Sequence, residues 1–235
     1  MKIIPFASLI LASLTTSSLA GQAVFNAASV DFESDDNGAL SAGQTSFDFS
    51  SVGLVAISYI PRGAYLGGNT APGSRLPMVF DTANPTGNDF DLLTPSPVVA
   101  DALGNVLIIS EDNDSSDPDD LRGGGVLRFE FDQLVSFDEL GILDNEEPDT
   151  RIIGLAAGNE VFNVAFPGGV DGNYMTQVLP QGPIDTLDVV FDGSGAVALL
   201  NYRSTAIPEP GVYGALGTLV VLGAILQRRR RHTHS

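Results

Sequence analysis

The amino-acid sequence predicts an all-β domain, an antiparallel β-sandwich resembling a jelly roll, and three observations support this. Short apolar runs alternate with polar residues at the two-residue period of a β-strand. Clusters of Gly, Asp, Asn and Pro separate these runs, and such residues favour turns. No stretch of ten or more residues shows the apolar stripe of an amphipathic helix.

The predicted strands lie between residues 30 and 202. They cover residues 30–33, 52–59, 106–110, 126–131, 152–156, 161–166, 176–179, 186–191 and 196–202. Alternate positions of these strands would supply Val, Leu, Ile and Phe to a core between two sheets. No repeat of fixed period is visible, and the length from Gly21 to Ala206 suits one domain.

The N-terminus has the features of a signal peptide. Lys2 precedes a mostly apolar stretch, residues 3–14, that is too short to span a bilayer. Small residues at positions 18 and 20 predict cleavage by signal peptidase between Ala20 and Gly21. We therefore assign residues 1–20 to a signal peptide, the alternative being a buried first strand or helix.

The C-terminal residues 207–235 suggest a membrane segment. Residues 211–226 form a run of 16 without a charge, and Arg228, Arg229, Arg230 and Arg231 follow it. A bilayer crossing needs about 20 residues, so we expect a single, short transmembrane helix with the arginines in the cytoplasm. Before it stand Pro208, Glu209 and Pro210, where two prolines keep the backbone extended and open to a protease.

This order of Pro-Glu-Pro, apolar helix and arginine cluster at the end of the chain resembles the PEP-CTERM sorting signal. The resemblance implies an exported protein of a Gram-negative bacterium that makes exopolysaccharide. It also implies a membrane protease, exosortase, as a partner that cuts near Pro208–Pro210. The protein would then be anchored transiently in the inner membrane before reaching the cell surface or matrix. An ordinary single-pass tail anchor is the alternative.

The composition of residues 21–206 excludes several functions. With 6 basic and 28 acidic residues, this part of the chain has a net charge of −22. Such a charge repels nucleic acid and acidic polysaccharide unless divalent cations intervene. The chain contains no cysteine, and His232 and His234 are its only histidines, so thiol and histidine catalysis are excluded from the predicted domain.

Two acid-rich loops are candidate calcium sites. The first contains Glu111, Asp112, Asp114, Asp117, Asp119 and Asp120, and the second contains Asp81, Asp89 and Asp91. Calcium prefers six to eight oxygen ligands and accepts irregular geometry. The spacing of Asp112, Asp114 and Ser116 departs from an EF-hand because Asp117 occupies the glycine position and Gly123 that of the closing glutamate.

Other acidic residues belong to the same hypothesis. The acids of residues 143–147 are expected to approach the same end of the sandwich, and Asp31 with Glu33 is a further candidate for one of these groups. Solvated turns are the alternative for each loop. The pattern of residues 31–33, 79–87, 105–112 and 143–146 resembles exported β-sandwich domains often paired with surface anchors, which implies a fold and no particular activity.

Three functional classes remain. The first is a non-catalytic surface or exopolysaccharide-matrix protein that binds calcium, carbohydrate or both, although the absence of Trp weakens a sugar-stacking face. The second is a glycosidase or polysaccharide lyase that uses paired carboxylates such as Glu111 and Glu146. The third is a purely structural extracellular protein.

Overall fold

The computed structural model describes residues 25–67 and 74–205, and β-strands dominate this part of the chain. The strands are β1 (Phe25–Val30), β2 (Ser34–Asp35), β3 (Gly38–Ala39), β4 (Leu54–Ile60), β5 (Pro77–Asp81), β6 (Asn105–Ile109), β7 (Gly125–Leu143), β8 (Arg151–Ala156), β9 (Asn159–Ala165), β10 (Tyr174–Val178), β11 (Ile184–Phe191) and β12 (Ala196–Thr205). A four-residue helix, α1 (Arg62–Tyr65), and 3₁₀ turns at Ser50–Val52 and Phe90–Leu92 are the helical elements described. The predicted all-β class is confirmed.

The long strand β7 belongs to two groups of paired strands. Its first half pairs with β4 on one side, up to Phe131, and with β11 on the other, where Val135 also pairs with Ile184 after a register shift; β8 and β9 continue from β11. Its second half, from Val135, pairs with β12 and β10, and β12 also pairs with β1 and β6, while β6 pairs with β5. All of these pairings are antiparallel. The change of partners between residues 131 and 135 makes β7 common to both sheets of the sandwich.

The main core lies between these two sheets. Apolar residues from both halves of β7 contact those of the neighbouring strands in one cluster. Where β7 changes partners, Phe131, Phe137 and Tyr202 pack with ring centroids 5.0–5.7 Å apart. The buried hydroxyl of Tyr202 donates to the Val52 carbonyl oxygen at 3.0 Å, so this polar atom is satisfied inside the core.

A second, smaller core determines where the acidic loops lie. Met78, Phe80, Val106 and Ile108 project from the outer face of β5 and β6, and the long segment 82–104 covers them with Leu92 and Val99. Segment 82–104 thus becomes part of the folded body, because its apolar side chains remove this face from water. Asp89 and Asp91 lie within this covering segment.

Most predicted strands correspond to observed strands, with three corrections. The prediction of a strand at 30–33 is wrong, because β1 ends at Val30 and Phe32 has a left-handed φ of 61° with a fully buried ring. The strand predicted at 126–131 continues to Leu143. Strands β2, β3 and β5, and β1 before Val30, were not among the predicted strands.

Candidate metal centre

Five aspartates from four separate segments lie at one end of the sandwich. Asp89 and Asp91 come from segment 82–104, Asp120 precedes β7, Asp144 follows β7, and Asp171 lies in the loop before β10. Carboxylate oxygens of Asp91, Asp144 and Asp171 all lie within 4.8 Å of one another. Strand ends therefore bring together acids that are up to 82 positions apart in the sequence.

Backbone amides hold three of these carboxylates in place. The Gly195 N–H donates to Asp120 Oδ2 at 2.7 Å, and the Asp120 N–H donates to Asp89 Oδ2 at 2.6 Å. The Gly172 N–H donates to Asp144 Oδ1 at 2.8 Å. These donors are neutral, so they orient the carboxylates without compensating their charge.

Gly172 is required for this close approach. It has a φ of +68°, and a Cβ atom there would lie 2.8 Å from the carbonyl oxygen of Asp91. A side chain would therefore push apart the two loops that carry Asp91 and Asp171. The spacing of these acids depends on a glycine between them.

No arginine or lysine pairs with the five aspartates among residues 25–67 and 74–205. The ion pairs there are Arg62–Asp192, Arg128–Asp188 and Arg203–Asp138, and none includes a residue of the cluster. The charges that act on Asp89 and Asp120 are those of other aspartates. Like charges this close raise one another's pKa and destabilise the ionised state.

Burial raises the pKa values of the cluster. Removal from water, with smaller repulsion from neighbouring carboxylates, raises the pKa of Asp89 to about 7 and that of Asp144 to about 6. The same causes raise the pKa of Asp120 well above its usual value, and burial raises the pKa of Asp91. Asp120 and Asp144 are 8% and 1% exposed. Such carboxylates are either protonated or compensated by a cation.

The chemistry of the donors fits a hard divalent cation. Calcium takes carboxylate and carbonyl oxygens, and the cluster contains no nitrogen or sulfur ligand. In the loop after β7, Asn145 is fully buried and its Oδ1 accepts no hydrogen bond, whereas its Nδ2 donates to the Pro167 and Glu147 carbonyl oxygens. This loop therefore offers an additional oxygen without a partner.

The two predicted acidic loops contact one another. The hydroxyl of Thr86 donates to the Pro118 carbonyl oxygen at 2.7 Å, and the Gly87 N–H donates to Asp117 Oδ1 at 2.8 Å. These bonds dock the segment that contains Asp89 against the loop that ends at Asp120. Three of the nine acids predicted as metal ligands, Asp89, Asp91 and Asp120, thereby reach the cluster.

The other predicted ligands have different positions. Asp81 accepts bonds from the Ala83 N–H and the Asn84 amide, and Asp112 and Asp114 accept bonds within their own loop. Asp117 binds the second loop, as described above. Glu111 lies beside Asp119 through a bond from its N–H to the Asp119 carbonyl oxygen, and the charge of Asp119 contributes to the raised pKa of Asp89, so Asp119 lies at the border of the cluster. The carboxylates of Asp81, Asp112, Asp114 and Asp117 therefore shape turns or join loops.

Asp144 and Asp171 were not among the predicted ligands, although the acids of residues 143–147 were expected near this end. Asp144 directly follows an apolar strand, which was the available signal. Asp171 lies in the run Asp171-Gly172-Asn173, whose composition indicates only a turn. The candidates Asp31 and Glu33 lie elsewhere: Asp31 Oδ1 accepts the Glu33 N–H, and Glu33 Oε1 accepts the Asn105 N–H at 2.7 Å.

The structure separates the carboxylates of the catalytic alternative. Glu111 is exposed in the loop that contains Asp119, and it acts on the pKa of that residue. Glu146 lies on the loop after β7, where partial removal from water and a hydrogen bond with Asp171 raise its pKa. The two glutamates therefore have different neighbours and do not form a recognisable pair.

The cluster lies at the opposite end of β12 from the chain ends. Ala196, the first residue of β12, pairs with Leu143 beside Asp144, whereas Thr205, its last residue, pairs with Phe25. Nine strand residues rise by about 30 Å. Both ends of the described domain therefore emerge about 30 Å from the acidic loops.

The predicted processing signals lie outside the described residues. These are the cleavage site at Ala20 and Gly21, the Pro208–Pro210 motif, the membrane segment and the arginines at 228–231. Within residues 25–67 and 74–205, no helix has the length and apolar character needed to cross a membrane.

Comparisons give limited similarity to known proteins. No protein-family model matches the sequence, and no curated protein sequence matches it. Among solved structures, a His 62 mutant of the lectin binding domain of Lectinolysin complexed with Lewis b is 9% identical, with a TM-score of 0.33, over 52% of this chain and 89% of that chain. The Streptococcus pneumoniae fucose binding module SpX-3 is 14% identical, with a TM-score of 0.29, over 43% and 72%. Scores this low describe a partial match of strands, and no ligand is transferred from them.

Proposed function

We propose that this is an exported, non-catalytic protein of the cell surface or exopolysaccharide matrix whose acidic loop cluster binds a calcium ion. The single observation that carries the calcium site is the meeting of the Asp91, Asp144 and Asp171 carboxylates, with Asp89 and Asp120 beside them and no cationic side chain paired to any of the five in the described chain. A divalent cation would replace this repulsion by attraction. It would hold the ends of β7, β10 and β12 together.

Export and sorting rest on the sequence at the two ends of the chain. The signal peptide, residues 1–20, would direct the chain across the inner membrane. The PEP-CTERM-like tail, residues 207–235, would present Pro208–Pro210 to an exosortase. Because Thr205 lies only three positions before Pro208, the folded domain would stand close to the membrane while it is anchored, with the acidic loops at the end away from the membrane.

Calcium gives an acidic domain a means of joining a matrix. The end of the domain that carries the five aspartates has an excess of carboxylates, and this negative charge repels anionic polymers. A bound cation with open coordination positions can accept hydroxyl or carboxylate oxygens from polysaccharide. This makes carbohydrate binding dependent on calcium in our proposal.

Thermal unfolding of the full chain tests the calcium site. Calcium that binds only the native state raises stability by about 2.7 kcal/mol at a concentration 100 times its Kd. For a domain of this size that corresponds to about 5–11 °C in the midpoint. We expect the unfolding midpoint of the wild type to be higher by this amount in calcium than in EDTA.

Matched variants locate the effect. Asp91→Asn with Asp171→Asn removes two carboxylates of the cluster, and we expect it to abolish the calcium-dependent rise. The control, Asp112→Asn with Asp114→Asn, removes two exposed carboxylates outside the cluster and should keep the rise. An equal rise in both double variants, or none in the wild type, would contradict the proposed site.

Further assays test the two alternative functions, an enzyme and a purely structural protein. Hydrolysis or cleavage of polysaccharide by the purified chain, lost with Glu146→Gln, would indicate a glycosidase or lyase. An unchanged unfolding midpoint in EDTA together with no retention on polysaccharide would indicate a purely structural extracellular protein. Export is tested in the native host, where unprocessed protein in the cytoplasm would refute it.

A further inference from the structure

A cavity lies beside the acidic cluster. It has a volume of about 240 Å³ and is lined by Val98, Val99, Ala100, Asp101, Leu103 and Tyr174. Val99, Leu103 and Tyr174 also pack against the smaller core, so the floor of the cavity is part of the folded body. Four of the six lining residues are apolar, and the other two supply a carboxylate and a phenol.

The cavity and the cluster share a wall. A Cβ atom at Gly172 would lie 2.8 Å from the Asp91 carbonyl oxygen and 3.7 Å from Val98 Cγ2. Gly172 therefore brings the cavity residue Val98 next to Asp91, while Asp171 is its neighbour in the chain. A ligand in the cavity would be close to a cation held by these two aspartates.

The loop that forms the cavity is fixed by its own hydrogen bonds. The hydroxyl of Ser96 accepts bonds from the Val98 and Val99 N–H groups at 3.4 and 3.1 Å, and the Ser96 N–H donates to the Val99 carbonyl oxygen at 2.7 Å. The hydroxyl of Thr94 accepts the Leu103 N–H at 3.0 Å. A preformed loop lowers the ordering cost of binding.

Exposed apolar side chains surround the same place. Phe90, next to Asp91, is 66% exposed, Val98 is 51% exposed, and Val170, next to Asp171, is 61% exposed. Large apolar side chains that stay in water beside a polar cluster are typical of binding surfaces. Because the cluster is acidic, it repels anionic ligands. A ligand that fits this surface is therefore neutral, or a bound cation lies between it and the carboxylates.

We propose that this cavity binds one neutral sugar ring, with its C–H face on Val98 and Tyr174 and its hydroxyl groups towards Asp101 and the cation. The volume is below the roughly 300–1,000 Å³ of sites for drug-sized ligands, which suits a single ring. Sugars combine an apolar C–H face with hydroxyl donors, and the lining offers a partner for each. This inference rests on the proposed calcium site.

Ligand-observed NMR on the full chain tests the proposal, with the methyl glycosides of glucose, galactose, mannose and N-acetylglucosamine as probes. For ligands of about a dozen non-hydrogen atoms we expect a Kd of about 1 mM. Ala100→Trp fills the cavity from an exposed position and should weaken binding at least tenfold. Val178→Trp, on an exposed site of β10, is the bulky control and should leave binding unchanged.

The outcomes separate the two proposals. A signal in calcium that is lost in EDTA and in Ala100→Trp supports the sugar site. No signal from any of the four glycosides, binding that persists in EDTA, or binding unaffected by Ala100→Trp overturns it. If calcium still raises the unfolding midpoint, the metal site stands although the sugar site fails. If neither effect occurs, both proposals fail.

Discussion

Replacing Asp144 by asparagine should stabilise the calcium-free protein at neutral and basic pH. Asp144 is 1% exposed, and burial raises its pKa from 3.8 to about 6. This rise corresponds to about 3 kcal/mol of unfavourable free energy for the ionised native state. An asparagine keeps the oxygen that accepts the Gly172 N–H and removes the charge.

The sign of the effect depends on pH. Because the native pKa is raised, the native state binds the proton more tightly than the unfolded state does. The energetic cost is complete above about pH 6, decreases as the pH falls, and is absent below the unfolded value of 3.8. At pH 8 in EDTA, Asp144→Asn should therefore unfold about 6–12 °C above the wild type.

Thermal unfolding in EDTA at pH 8 and pH 4.5, followed by circular dichroism, measures this. Most of the difference should vanish at pH 4.5, where the wild-type carboxyl is protonated in the native state. With calcium at pH 8 and 100 times its Kd, the difference should shrink by about 2.7 kcal/mol, because the wild type gains stability and Asp144→Asn does not. A variant that is less stable than the wild type in EDTA at pH 8 would refute the reasoning, because the charge would then be compensated by another group.

Three other variants test the packing that supports the site. Asp188→Ala leaves Arg128 without its buried bidentate partner and should cost about 3 kcal/mol in chemical denaturation; a loss below 1 kcal/mol would contradict this. Asp138→Asn breaks the ion pair with Arg203 on the surface and should change stability by less than about 1 kcal/mol. If it costs as much as Asp188→Ala, burial does not explain the difference between the two ion pairs. Tyr202→Phe removes the bond to the Val52 carbonyl oxygen and should cost about 1–2 kcal/mol, and an unchanged stability would show that this bond contributes nothing.

The strands were predictable where apolar residues alternate or run together. Residues 105–109 and 184–191 contain such runs, and both form strands. The second half of β7 was missed because Asp132 and Gln133 interrupt the pattern, and the chain there moves from one sheet to the other. Phe32 was misplaced because its ring is buried from a left-handed backbone position, which alternation along the sequence does not reveal.

The kind of site, a cluster of oxygen ligands, was predictable from the sequence, but only some of the residues that form it were. Acid-rich loops indicated oxygen ligands, and Asp89, Asp91 and Asp120 do reach the cluster. The densest run of acids, around Asp112 and Asp114, instead forms turns, because aspartate side chains readily accept bonds from nearby backbone N–H groups. Asp171 joins through tertiary contacts that no local spacing encodes.

Calcium titration of the EDTA-stripped full chain by isothermal calorimetry tests the central claim most directly. The account predicts one calcium ion per chain for the wild type, the same binding for Asp114→Asn, and loss of binding for Asp120→Asn, whose carboxylate is buried in the cluster. Absence of binding in the wild type would contradict the account. Loss of binding in Asp114→Asn with retention in Asp120→Asn would place the ion in the exposed loop and contradict it equally.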